Sequence, residues 1–166
     1  MLLSPHFTLA ELTTTSRLEY RAAQAHGAVQ GTAVHDALEA LCLRILEPIR
    51  AHVGGPVRVT SGYRSPALNA ATPGASPTSQ HVRGEAADIV VPGWTDGQLR
   101  DLWAWIGWRS GLGYGQVIYE DRRPDAEGGA WIHVSLGAPW RAAARCGQRL
   151  TWDPTHEYRA WTAVPW

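Results

Sequence analysis

The sequence predicts an α+β fold with a small, mainly antiparallel sheet and flanking helices, and three observations carry that expectation. Helical periodicity is concentrated in the first third of the chain. Strand-type segments dominate afterwards, with one helix between them. No steady alternation of strand and helix is present that would wind a parallel sheet. At 166 residues the chain has about one domain's length. The reading is one domain over residues 1–136, with a Trp-rich extension over 137–166 packed on it.

Each element has a local reason. "FTLAEL" places Thr8 three residues before Glu11, the capping-box signature of a short helix. From Thr32, the residues Val34, Leu38, Leu41, Ile45, Ile49 and Val53 recur at three- and four-residue steps up to Gly54-Gly55. This is an amphipathic helix with a glycine stop, and Pro48 should kink it. "VRVTSGYRS" and "AADIVV" read as strands. Thr95 with Gln98 opens a second long helix whose Leu99, Leu102, Trp103 and Ile106 share a face. "GQVIYE" and "WIHVSL" are two further strands, joined by the polar loop DRRPDAEGGA. "GLGYG" lacks the spacing of a nucleotide loop and reads as a turn into the next strand. Beyond Leu136 the pattern becomes irregular and rich in tryptophan, with Trp140, Trp152, Trp161 and Trp166.

Composition removes several classes of function. Formal net charge is zero and the pI is about 7.1, so no basic surface points to nucleic acid and no polybasic segment points to a membrane. The N-terminal "MLLSPHFTLAEL" lacks the charged start and apolar run of an export signal, and no later stretch has a membrane span's length. The expectation is a monomer made in the cytoplasm without a signal peptide. Cys42 and Cys146 have no CxxC spacing and form no disulfide framework; Cys42 reads as core.

The chemistry lies in "SQHVRGEAAD". His81 and Asp88 stand seven positions apart (88 − 81 = 7). Three readings compete: a turn into a strand, a hydrogen-bonded pair, or two ligands of one metal ion. Zinc accepts imidazole nitrogen and carboxylate oxygen, and a catalytic site takes three protein ligands and leaves a fourth position open. Gly84 lets the backbone bend between the two, and Ala86 and Ala87 are small enough for close packing. Among the seven histidines, His133 in "WIHVS" is the other one inside a strand-type segment. His6, His26, His35, His52 and His156 read as solvated or structurally hydrogen-bonded.

Three separated motifs carry a resemblance. SxHxxGxAxD is present as Ser79, His81, Gly84, Ala86 and Asp88; a W-x-H segment follows at Trp131 and His133; "SGYRSPALN" precedes both. This combination resembles the zinc D-alanyl-D-alanine carboxypeptidase and L-alanyl-D-glutamate endopeptidase family (M15-type peptidases), in particular its small phage and prophage endolysin-like branch. "HFTLAELTTTS" is similar to that branch as well, so the likeness runs from about residue 6 to about residue 136. The tail has no counterpart in it, and the loop "ATPGASPT" departs from the family's glycine- and asparagine-rich form.

The resemblance implies one Zn²⁺ held by His81, Asp88 and His133, with peptidoglycan stem peptide as substrate. It places a catalytic glutamate ahead of the W-x-H histidine, and Glu120 at the end of "QVIYE" fills that role if its strand pairs antiparallel with the next. Some relatives carry the glutamate three residues before the last histidine, where this chain has Ala130. Asp121 is the rival base, but adjacent strand residues face opposite sides. Glu85 reads as exposed. Arg64 matches the family's substrate-facing arginine, and its planar guanidinium suits a carboxylate or a scissile carbonyl. Tyr63, Ser79 and Trp131 are the further substrate-side candidates, Ser61 a supporting hydroxyl, and Asn69 a turn cap. The implied activity is L-alanyl-D-glutamate endopeptidase, acting on the wall after phage-type release or from a virion. A D-alanyl-D-alanine carboxypeptidase and a non-catalytic wall-binding or virion module are the alternatives.

Overall fold

The computed structural model describes residues 1–120 and 129–137, together with the backbone of 148–152 and 158–160. Helix α1 (Leu9–Thr13) starts at the expected capping box: Thr8 Oγ1 accepts the Glu11 N–H at 3.2 Å, and Glu11 Oε2 accepts the Thr8 N–H at 2.8 Å. A 3₁₀ turn (Leu18–Tyr20) and helix α2 (Arg21–Gly27) follow. Neither has a strong apolar period, and neither is part of the sequence reading.

The expected long helix is divided. Helix α3 (Ala33–Leu41) and helix α4 (Glu47–Val53) flank a π-turn (Cys42–Leu46), in which the Glu47 N–H reaches back to the Cys42 carbonyl. Pro48 sits in the first turn of α4. A proline there has no N–H to offer and its ring crowds the carbonyl four residues back, so the widened turn just before it does the work expected of a kink. Gly54 ends α4 at φ 68°, in the left-handed region.

Strand β1 (Arg58–Ser61) leads to helix α5 (Pro66–Ala70), whose N-cap Ser65 accepts the Leu68 N–H. A 3₁₀ turn (Gln80–Arg83) carries His81 and stops at Gly84, φ 70°, where a Cβ would lie 2.7 Å from the Val34 carbonyl oxygen. Strand β2 (Ala86–Val90), helix α6 (Asp96–Trp108), strand β3 (Tyr114–Glu120) and strand β4 (Trp131–Leu136) complete the expected elements. Thr95 and Gln98 form the capping box of α6.

The sheet order is β1-β2-β4-β3, with antiparallel neighbours throughout, extended by strand β5 (Gln148–Trp152) parallel to β3 and strand β6 (Tyr158–Ala160) antiparallel to β5. The fold is therefore α+β with a mainly antiparallel sheet. The sequence of the tail is irregular, yet its backbone supplies two strands; its remaining residues, Cys146 and His156 among them, lie outside the described set.

Strand alternation gives the sheet two chemically different faces. Ala87, Ile89, Val117, Tyr119, Ile132 and Val134 are buried in one core with Leu38, Leu41, Ile45 and Ile49 of the α3–α4 arm and Leu99, Leu102, Trp103 and Ile106 of α6. Cys42 belongs to that core, as expected, and burial pushes its thiol up to about 12. The alternate positions, Asp88, Ile118, Glu120, Trp131 and His133, belong to the opposite face.

Candidate metal and catalytic site

Register brings the candidate ligands together. Asp88 pairs with His133 across β2 and β4, and Ile118 pairs with His133 across β3 and β4. Directly paired residues share a face, so a carboxylate and an imidazole from neighbouring strands meet. Asp88 Oδ1 is 2.9 Å from His133 Nδ1 and 3.3 Å from His81 Nε2, while the two imidazole nitrogens are 3.2 Å apart. His81 enters from the 3₁₀ turn and is almost fully buried.

The donor set suits zinc. A tetrahedral zinc with bonds of about 2.0–2.1 Å has ligand-to-ligand edges of roughly 3.3 Å, close to these three separations. The tautomer is also set. His81 Nδ1 lies 2.7 Å from the Gly62 carbonyl oxygen. A carbonyl only accepts, so Nδ1 carries the proton and Nε2 keeps its lone pair for the metal. Burial disfavours the Asp88 carboxylate, but the charges and hydrogen bonds of His81 and His133 overcome this and hold the carboxyl well below its usual range. Among the described residues these three form the group able to hold a metal ion.

Glu120 pairs with Trp131, on the face that holds His133. Burial, reinforced by the Asp88 charge, pushes its carboxyl up to about 7, while His133 and Arg64 pull the other way. A carboxyl poised near neutrality beside a metal-capable group suits proton transfer. Asp121 lies outside the described residues.

Arg64 is half-buried within electrostatic reach of Glu120, and its backbone N–H donates to the His81 carbonyl at 3.1 Å. Ser79 caps the His81 turn, its Oγ accepting the His81 N–H at 3.4 Å. Ser61 and Trp131 line a cleft of about 490 Å³ that includes Asp88. Tyr63 is placed differently from the expectation that it meets substrate: its ring is 4% exposed in the core, because its hydroxyl packs against the bare Cα of Gly27. Glu85 is likewise buried, not exposed; Arg83 Nε pairs with it at 2.9 Å. Asn69 closes the following loop through its Nδ2, which donates to the Ser76 carbonyl at 3.0 Å.

Sequence reading missed Gln24. Its buried amide donates to the Tyr63 carbonyl at 2.6 Å and accepts the Ser65 N–H at 2.5 Å, gripping both peptide groups that flank Arg64. Its one sequence signal is an uncharged polar residue in a short helix, which specifies no partner.

A family model described as Peptidase M15 matches residues 5–120, more than half of the chain. The chain belongs to the Peptidase M15 family. The match takes in Arg64, His81, Asp88 and Glu120 and ends before His133, which the sheet register supplies. A search of curated proteins finds no match.

Proposed function

We propose that the chain is a zinc-dependent peptidase that cleaves peptidoglycan stem peptides between L-alanine and D-glutamate, acting on the cell wall as an endolysin-type enzyme. The observation that carries this reading is the meeting of His81 Nε2, Asp88 Oδ1 and His133 Nδ1 within 4.8 Å of one another, on a face that also holds Glu120. Zinc bound by the three would supply a Lewis acid for the scissile carbonyl. Glu120 takes the proton of the attacking water and returns it to the leaving amine. Arg64 holds a substrate carbonyl or carboxylate. Ser79 and the Gly62 carbonyl keep His81 in place. Trp131 offers an apolar wall in the cleft beside Asp88.

The reading implies a single peptidase domain over 1–136, with the 137–166 extension as part of the same unit, working as a monomer. None of the helices among the described residues is long and apolar enough to cross a membrane. The test is mass spectrometry of the products from purified peptidoglycan. A new D-glutamate amino terminus is expected. Free D-alanine without it would make the chain a D-alanyl-D-alanine carboxypeptidase, and zinc content without any cleavage would make it a binding module.

A further inference from the structure

The cleft at Asp88 continues past the metal-capable group, and its far part is chemically specific. Arg58 and Asp96 line it, with Trp94 and Trp131 as aromatic walls. Arg58 is exposed, stands on the sheet's edge strand, and makes no ion pair or side-chain hydrogen bond among the described residues. Asp96 uses Oδ1 to accept the Ala130 N–H at 3.2 Å, and its second oxygen has no bond among them. Beyond Asp88, the described residues of this part of the cleft therefore present Arg58 as a cation, Asp96 as an anion and two aromatic walls.

We propose that this region is a specificity subsite for a zwitterionic side chain, a carboxylate and an ammonium at the end of an aliphatic arm, as in stems whose third residue is a diamino dicarboxylic acid. The proposal rests on the stem-peptidase reading above and assigns it a substrate class. Arg58 forms paired hydrogen bonds with the carboxylate, Asp96 accepts from the ammonium, and Trp94 and Trp131 cover the methylenes. Register supplies the spacing. Arg58 pairs with Val90, two residues beyond Asp88 along β2. That is roughly 7 Å along the strand, comparable with the reach from the L-alanine carbonyl to the third stem residue, which is joined through the side-chain carboxyl of D-glutamate. With the L-alanine carbonyl at the metal-capable group, the residue two further on is the third of the stem. A lysine arm has the ammonium but no carboxylate, so it satisfies Asp96 and leaves Arg58 without a partner.

The experiment uses the zinc-loaded full chain and three synthetic stem tetrapeptides whose third residue is the diamino dicarboxylic acid, its side-chain carboxamide, or lysine. The free acid should give kcat/KM about tenfold or more above the other two, mainly through KM, as a charge-assisted pair implies. Arg58→Gln should collapse that difference. Asp96→Asn, which keeps an oxygen for Ala130, should lower kcat/KM for all three peptides, since each carries the side-chain ammonium. Equal use of the three peptides by the unaltered chain, or an unchanged preference in Arg58→Gln, would overturn the subsite. If none is cleaved, the peptidase reading fails instead, and calorimetric binding of the same peptides decides the subsite: tighter binding of the free acid upholds it and equal binding refutes it.

Discussion

Gln24 brackets Arg64: its amide donates to the carbonyl on one side of that residue and accepts the N–H on the other, at 2.6 and 2.5 Å. The same "SGYRS" turn presents the Gly62 carbonyl to His81, so one buried amide from α2 fixes the segment that supports both the cation proposed to meet substrate and a metal-ligand candidate. Gln24→Met keeps the volume and removes these two hydrogen bonds together with the one the amide donates to the Thr13 carbonyl at 3.3 Å, leaving three peptide groups unmatched. Stability should fall by about 2 to 4 kcal/mol in denaturant titration. Below the unfolding range, loss of activity should accompany that of Arg64→Lys, which keeps charge but loses the paired geometry and should cost about 1 to 3 kcal/mol in kcat/KM. In an Arg64→Lys background, Gln24→Met should add little further loss of activity, while its stability cost persists.

Much of this arrangement is legible in the sequence because it follows from local rules. Thr8 with Glu11 and Thr95 with Gln98 announce their helices, and each capping box is present in the structure. The register that unites Asp88 with His133 follows from pairing strands whose buried and site faces differ so sharply in composition that a one-residue slip would put His133 in the core. What was not legible depends on partners and backbone choices that local spacing does not specify. Tyr63 looks amphipathic in isolation, yet it is buried because Gly27, 36 positions earlier (63 − 27 = 36), leaves room for its ring. Glu85 is buried beside Arg83, a pairing that two-residue spacing alone does not specify. Pro48 signals a disturbance in the helix, but a π-turn and a kink satisfy the same missing N–H.

Metal content tests the ligand set. The purified chain should hold about one zinc, and His133→Ala should lose it, because two remaining ligands cannot close a stable catalytic site. Adding zinc to the metal-free protein at about 100 times its Kd should stabilise the fold by about 2.7 kcal/mol. His133→Ala should show no such shift in thermal unfolding. Full occupancy in that variant would remove His133 from the set.

Gly62 gives a test of how His81 is positioned. A Cβ at this position would lie 2.3 Å from the Leu12 carbonyl oxygen, which is backbone and cannot swing aside. Gly62→Ala should therefore displace the turn, destabilise the protein by about 1 to 3 kcal/mol and weaken zinc binding through the lost Nδ1 contact. Calorimetric zinc titration of the folded variant reads the second effect separately from the first. Unaltered zinc affinity would show that the Gly62 carbonyl does not orient His81.

Glu120 makes opposite predictions for stability and for catalysis. Its carboxyl is raised to about 7 in the fold from an ordinary 4.5, chiefly by burial and secondly by Asp88. A raised value means that the metal-free fold favours the protonated form. The stabilisation is complete at pH values below the ordinary one and is lost as pH rises through about 7. Glu120→Gln is neutral at every pH, so in the metal-free state it should gain on the unaltered chain as pH rises, by about 1 to 3 kcal/mol at pH 8 and by almost nothing at pH 4. Zinc should shrink that gap, since a nearby cation favours the carboxylate. Turnover should move the other way: with its proton acceptor gone, Glu120→Gln should lose about a hundredfold or more while zinc stays bound. Denaturant midpoints at the two pH values and single-substrate kinetics on a stem peptide measure the two effects. A variant that keeps its activity would transfer the role of base to another carboxylate, with Asp121→Asn the next substitution to make.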